Sequence, residues 1–109
     1  MITLVIIESP YAGDIDTNTR YAQECMADCL GRGEAPFASH LLYTQPNVLD
    51  DAIPEERKLG IDAGLAWGKM ADKTVVYSDL GITAGMQQGI VRAIGEGREI
   101  EYREIWSKE

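Results

Sequence analysis

Three short segments hold the residues whose types and spacing suit chemistry. The first is Ser-Pro-Tyr-Ala-Gly-Asp at 9–14, which breaks off an apolar, β-branched run at 2–7. The Tyr11 ring can cover a base or a sugar, Gly13 lets a backbone approach a ligand, and Ser9 and Asp14 add a hydroxyl and a carboxylate. The plain alternative is a tight turn with Asp14 capping the next helix. Neither a Gly-x-Gly-x-x-Gly fingerprint nor a P-loop is present, so the sequence predicts no bound cofactor of those kinds.

The second segment is Ser-His-Leu-Leu-Tyr-Thr-Gln at 39–45. A histidine just after a strand suits a general base or a donor to sugar or phosphate, and His40 is the only histidine of the chain. Its structural alternative is a ring that ties a long loop to the sheet. The third segment runs from Asp79 through Gly81 and Thr83 to Gly-Met-Gln-Gln-Gly at 85–89. Asp79 ends a buried strand, Gly81 and Thr83 make the turn and helix start, and the free amides of the helix N-terminus suit an anion. Asp and Thr are also ordinary caps.

Apolar periodicity predicts the elements that must carry these segments. Strands are expected at 2–7, 35–39, 74–78 and 99–103, and helices at 16–31, 54–70 and 84–95. Residues 40–52 read as a long polar loop, and loops of about 12 residues in a compact domain are usually functional. In the second helix Leu59, Ala63, Ala66, Trp67 and Met70 form the expected core face; in the third, Ile90, Val91 and Ile94 point inward, with Gly85 and Gly89 permitting close approach. Alternating strands and helices of these lengths imply right-handed βαβ units, hence a flavodoxin-like or Rossmann-like α/β domain with a four-stranded, mainly parallel sheet. In such sheets ligands bind beyond the carboxyl ends of the strands, where all three segments fall.

With 109 residues there is room for one domain. A net charge of −8 and no block of Lys or Arg exclude long nucleic acid as a partner, while a small anion remains compatible. No apolar run approaches the ~20 residues of a membrane span, and the start at 1–7 reads as a strand rather than a leader, so the expected location is cytoplasmic. Cys25 and Cys29 lie four apart on one helical face, where they read as buried small groups rather than a disulfide or a metal site. Trp67, Tyr102, Ile105 and Trp106 exceed what one sheet easily covers, which predicts a homo-oligomer, at least a dimer.

Taken in order, Ser-Pro-Tyr-Ala-Gly at 9–13, Ala-Pro-Phe-Ala-Ser-His-Leu-Leu-Tyr-Thr-Gln at 35–45, Pro-Glu-Glu-Arg at 54–57, Asp-Leu-Gly-Ile-Thr at 79–83 and Gly-Arg-Glu-Ile at 97–100 resemble the nucleoside 2-deoxyribosyltransferase-like superfamily. The likeness spans nearly the whole chain and is greatest to short, uncharacterised phage and bacterial members. It implies a nucleoside or nucleotide ligand contacted by Tyr11, Gly13, Asp79 and Thr83. In that family a glutamate of the third helix attacks the anomeric carbon, and its place falls here on Gln87. A neutral amide is a poor nucleophile but still hydrogen-bonds ribose hydroxyls. The resemblance therefore implies a protein that sequesters or senses a nucleotide signal or metabolite with little turnover. An active N-glycosidase or deoxyribosyltransferase using another acid, among Glu8, Asp14 and Asp79, is the competing expectation, and an interaction module with a vestigial pocket is a third.

Overall fold

Six residues in a row with Val, Ile and Ile at the centre favour an extended chain buried on both faces, and they form β1 (Thr3–Glu8). The computed structural model describes residues 2–106. After β1 come α1 (Ile15–Gly31), β2 (Glu34–Phe37), α2 (Ser39–Leu42), α3 (Pro54–Gly68), β3 (Lys73–Tyr77), α4 (Ala84–Gly95) and β4 (Glu99–Arg103). The sheet has order β2-β1-β3-β4, and every pair is parallel, with Ile6 opposite Phe37 on one side and Thr74 on the other. Direction reverses at β1: the chain moves out to β2, then crosses back to β3. That places a crevice above the carboxyl ends of β1 and β3.

Strand alternation splits the core into two layers. Val5, Ile7, Val75 and Tyr77 pack under α1 against Tyr21, Cys25 and Cys29, and both thiols are free and buried. On the opposite face Val76 and Ile100 pack under Met86 and Ile90 of α4. The helix starts follow their caps. Asp14 accepts from the Thr17 amide at 3.2 Å, and Thr83 Oγ1 accepts from the Met86 amide at 3.2 Å.

Three expectations are corrected. Ser39, expected as the end of a strand, and residues 40–42, read as loop, form the single turn α2, whose end is tied by Thr44 Oγ1 to the His40 carbonyl at 2.6 Å and by Gln45 Nε2 to the Leu41 carbonyl at 2.7 Å. The expected core face of α3 is turned outward, with Trp67 57% and Met70 70% exposed and Leu59 exposed beside them. The inward face is a glycine stripe instead. A Cβ at Gly64 would fall 2.5 Å from Ser39 Oγ, and one at Gly60 would fall 3.2 Å from Leu49 Cδ1. Close approach of α3 to α2 thus needs the small face and overrides the apolar one. In α4, Ile90 points in, but Val91 and Ile94 are exposed, because Met86, Gly89 and Ala93 already fill the inward side.

Candidate functional site

Between the sheet, α3 and the start of α4 lies a cavity of about 320 Å³, at the lower end of the ~300–1,000 Å³ typical of small-molecule sites. Its floor is Ile6, Glu8 and Phe37 of β1 and β2, and the glycines Gly64, Gly68, Gly85 and Gly89 leave the room. Ser9, Tyr11 and His40 stand on one side, with Asp51 and Arg57 at the edge and Thr83 at the rim. A wider hollow of about 680 Å³ adjoins it and shares Tyr11, Ala12, Asp51 and Arg57. Asn18 of α1 sets the position of Tyr11, since its Nδ2 donates to the Tyr11 and Ala12 carbonyls at 3.0 Å each.

Ser9 and His40, expected as separate contacts, form one pair: Ser9 Oγ lies 2.7 Å from His40 Nε2. Burial holds the His40 ring well below its ordinary 6.5, at about 4, against the opposing pull of the Asp51 carboxylate. A ring with so low a pKa is neutral at pH 7 and a weak base. The pair therefore suits a fixed hydrogen bond to a ligand better than activation of the serine. The Tyr11 ring meets His40 edge-on with centroids 6.3 Å apart.

Glu8, expected only as an alternative acid on this face, lies in the cavity. It ends β1 with its carboxyl over Gly89, so close that any Cβ there would overlap it. Burial pushes its pKa up from 4.5 to about 8, with Arg98 pulling the other way. Arg98 is already engaged, donating to Thr74 Oγ1 at 3.0 Å, to the Gly68 carbonyl at 2.8 Å and to Glu96 at 2.7 Å. Arg57 is likewise paired, with Asp51 at 2.8 Å. At neutral pH the interior of the cavity is thus lined by uncharged or internally balanced groups.

The remaining expected site residues lie elsewhere. Gly13 lines only the wider hollow, at φ 98°, and Asp14 is the α1 cap. Gly81 serves the turn before α4 at φ 91°. Asp79 faces away from the cavity. Its carboxylate accepts from Tyr21 Oη at 2.5 Å and from the Ile105 and Trp106 amides at 2.9 and 2.8 Å. Burial opposes its ionisation, yet these hydrogen bonds hold its pKa below the ordinary range. Gln87 is exposed, on a shallow hollow between the outer sides of α3 and α4 with Asp62, Val91 and Arg92. Among the described residues no three His, Cys, Asp or Glu side chains converge as a metal site, and no helix is long and apolar enough to cross a membrane.

This architecture has relatives. Residues 3–103 match a family described as a domain of unknown function, DUF7768. The chain belongs to that family. No curated protein matches the sequence. Among solved structures, the chain is similar to the 2-deoxyribosyltransferase of the psychrotolerant bacterium Bacillus psychrosaccharolyticus. That match has a TM-score of 0.65 at 16% identity, over 97% of this chain and 75% of the other. It is also similar to the CMP N-glycosidase of Clostridium botulinum, with a TM-score of 0.56 at 12% identity over 93% and 71% of the two chains. At these identities the likeness is one of fold: this DUF7768 domain has the nucleoside deoxyribosyltransferase-like fold.

Proposed function

We propose that the cavity between β1, α3 and α4 binds a nucleoside or nucleotide. The observation that carries this reading is the position of the cavity at the carboxyl ends of parallel strands, with the Tyr11 ring, the Ser9–His40 pair and the Glu8 carboxyl converging on it. An aromatic face suits a base, and neutral donors and acceptors suit sugar hydroxyls. Support also comes from the fold, since one similar structure is a 2-deoxyribosyltransferase and another a CMP N-glycosidase. Calorimetric titration with adenosine, cytidine, their 2′-deoxy forms and their 5′-monophosphates tests it. Tyr11→Ala is expected to weaken the binding found by about 1–3 kcal/mol, the usual cost of an aromatic anchor. Asp79→Ala is expected to lower stability while leaving affinity within about twofold, because its partners are Tyr21 and the 105–106 backbone. Equal affinity in the Tyr11 variant would rule the cavity out.

Holding a ligand with little turnover, as sequestration or sensing requires, rests on the amide at position 87. With Gln87 outside the cavity and Glu8 inside it, a second reading gains support: cleavage of the N-glycosidic bond. Prolonged incubation followed by chromatography separates the two, intact nucleoside supporting retention and free base supporting cleavage.

We further propose a homo-oligomer assembled through α3 and α4, whose outer sides expose Leu59, Trp67, Val91 and Ile94, with Met70 exposed just beyond α3. Ile105 and Trp106 are spent within the chain, the Trp106 ring packing on Tyr21 at 4.8 Å between centroids. Sedimentation is expected to give a dimer or larger at micromolar concentration, and Trp67→Asp to shift it toward monomer. A monomeric wild type would overturn the assembly.

A further inference from the structure

We propose that Glu8 is the acid that protonates the leaving base during N-glycosidic cleavage in this cavity, and that Gly89 lacks a side chain so that the carboxyl can be seated there. The proposal rests on the nucleoside reading above and deepens its second form.

Three observations converge on Glu8. Its carboxyl is part of the cavity floor, next to Gly89 on α4, and α4 tolerates no Cβ at that point without displacing it. Other carboxylates deep in the fold are held by donors: Glu34 by Arg103, Glu101 by Arg103 and Lys73, Asp79 by Tyr21 and two amides. Glu8 has no hydrogen-bond partner among the described residues, although it is the one that faces the cavity. A carboxyl largely desolvated and without donors favours its protonated form, and a protonated carboxyl offers one O–H to whatever enters.

The alternatives on the same face are less suited. Gln87 lies outside and has no acidic proton, Asp79 is ionised and clamped, and His40 is neutral and bonded to Ser9. The charged and titratable groups around Glu8 are Arg98 ahead of β4, Arg57 of α3 with Asp51, His40 of α2 and Tyr11. The stretch from Thr83 into α4 contributes Thr83, Ala84, Gly85, Met86 and Gly89, none of them ionisable. Of the two cavity groups with a shifted pKa, His40 at about 4 is silent above pH 6, so the alkaline limb belongs to Glu8 at about 8.

The step balances without any further reagent than water. The Glu8 O–H proton passes to a ring nitrogen or exocyclic oxygen of the base as the C1′–N bond breaks, both electrons leaving with the base. Water then adds to the cationic C1′, and the proton it sheds returns to the Glu8 carboxylate. One nucleoside and one water give one free base and one sugar, or sugar phosphate if the ligand is a nucleotide. Because a base departing as its anion is a poor leaving group, positioned proton donation is worth about 10²–10⁴-fold.

The test uses the whole chain, adenosine, cytidine, their 2′-deoxy forms and their 5′-monophosphates, with binding read by calorimetry and free base by chromatography between pH 5 and 9. For a compound that binds, release is expected to be level up to about pH 7 and to fall toward tenfold per pH unit above about 8. Glu8→Gln keeps the shape and is expected to cut release at least about 100-fold with Kd changed less than about threefold. Glu8→Asp, which keeps the acid but shortens it, is expected to retain more release than Glu8→Gln. Gly89→Ala, by moving the carboxyl, is expected to lose release like Glu8→Gln. A bound nucleoside that stays intact at every pH, or equal release by Glu8→Gln, would overturn the role of Glu8 and leave the binding reading standing. Failure of the whole panel to bind would overturn both.

Discussion

Arg103→Met is expected to destabilise the domain by about 3–5 kcal/mol, the cost of leaving a buried partner charge unpaired. Arg103 closes β4, yet its side chain runs under α1 across the sheet and is 4% exposed. Its Nη1 and Nη2 fork onto both oxygens of Glu34 at 2.9 and 2.7 Å, Nε donates to Glu101 at 2.7 Å, and Nη1 also donates to Tyr77 Oη at 3.0 Å. Lys73 adds a contact to Glu101 at 2.7 Å. The guanidinium thereby links β2 and β4, the two edge strands, with Arg103 and Glu34 buried and Glu101 partly open to solvent. Removing it leaves buried Glu34 with only Lys73 Nζ, at 3.5 Å, as counter-charge. The measurement is the urea midpoint at constant m-value, and the control is Arg103→Met with Glu34→Leu, which removes both charges and is expected to recover most of the loss. A single-substitution cost below about 1 kcal/mol would mean that water reaches the network and screens it. Hydrogen bonds from Arg103 hold Glu34 below its ordinary pKa, and those from Arg103 and Lys73 bring Glu101 to about 2. Their stabilisation is therefore present above pH 4.5 and lost as pH falls from there toward 2.

The strands and helix starts were legible because they depend on local chemistry. A β-branched run makes a strand, and Asp14 or Thr83 satisfies the amides of the turn behind it. Facing was less legible. In α3 the apolar periodicity pointed one way and the Gly60, Gly64, Gly68 spacing another, and only the distance to Ser39 and Leu49 decides between them. Asp79 shows why site residues mislead: an acid at a strand end looks the same whether it awaits a ligand or clamps residues 105–106, which are distant in sequence. Glu8 shows the converse. The Gly85, Gly89 spacing announced a close approach to α4, but the sequence does not say that the approaching group is a carboxyl 81 positions earlier.

Stability of the wild-type domain is expected to fall by about 2 kcal/mol between pH 6.5 and 8, and Glu8→Gln is expected to abolish that fall. Two half-buried groups in one cavity titrate in opposite senses. Glu8 has a folded pKa near 8 against 4.5 when exposed, so the folded state keeps a proton that the unfolded chain has lost. Its contribution is complete below 4.5 and disappears as pH rises through 8. His40 has a folded pKa near 4 against 6.5, so its contribution is complete above 6.5 and disappears as pH falls through 4. Between 4.5 and 6.5 the two slopes oppose and nearly cancel. From 6.5 to 8 Glu8 acts alone over 1.5 pH units, at about 1.4 kcal/mol each. In a domain of this size the loss corresponds to on the order of 10 °C in Tm. Thermal unfolding followed across this range reads the slope directly, with the Glu8→Gln profile level where the wild-type profile declines. A level wild-type profile would mean that the carboxyl is ionised in the folded protein, and then neither its seat against Gly89 nor its use as an acid would hold.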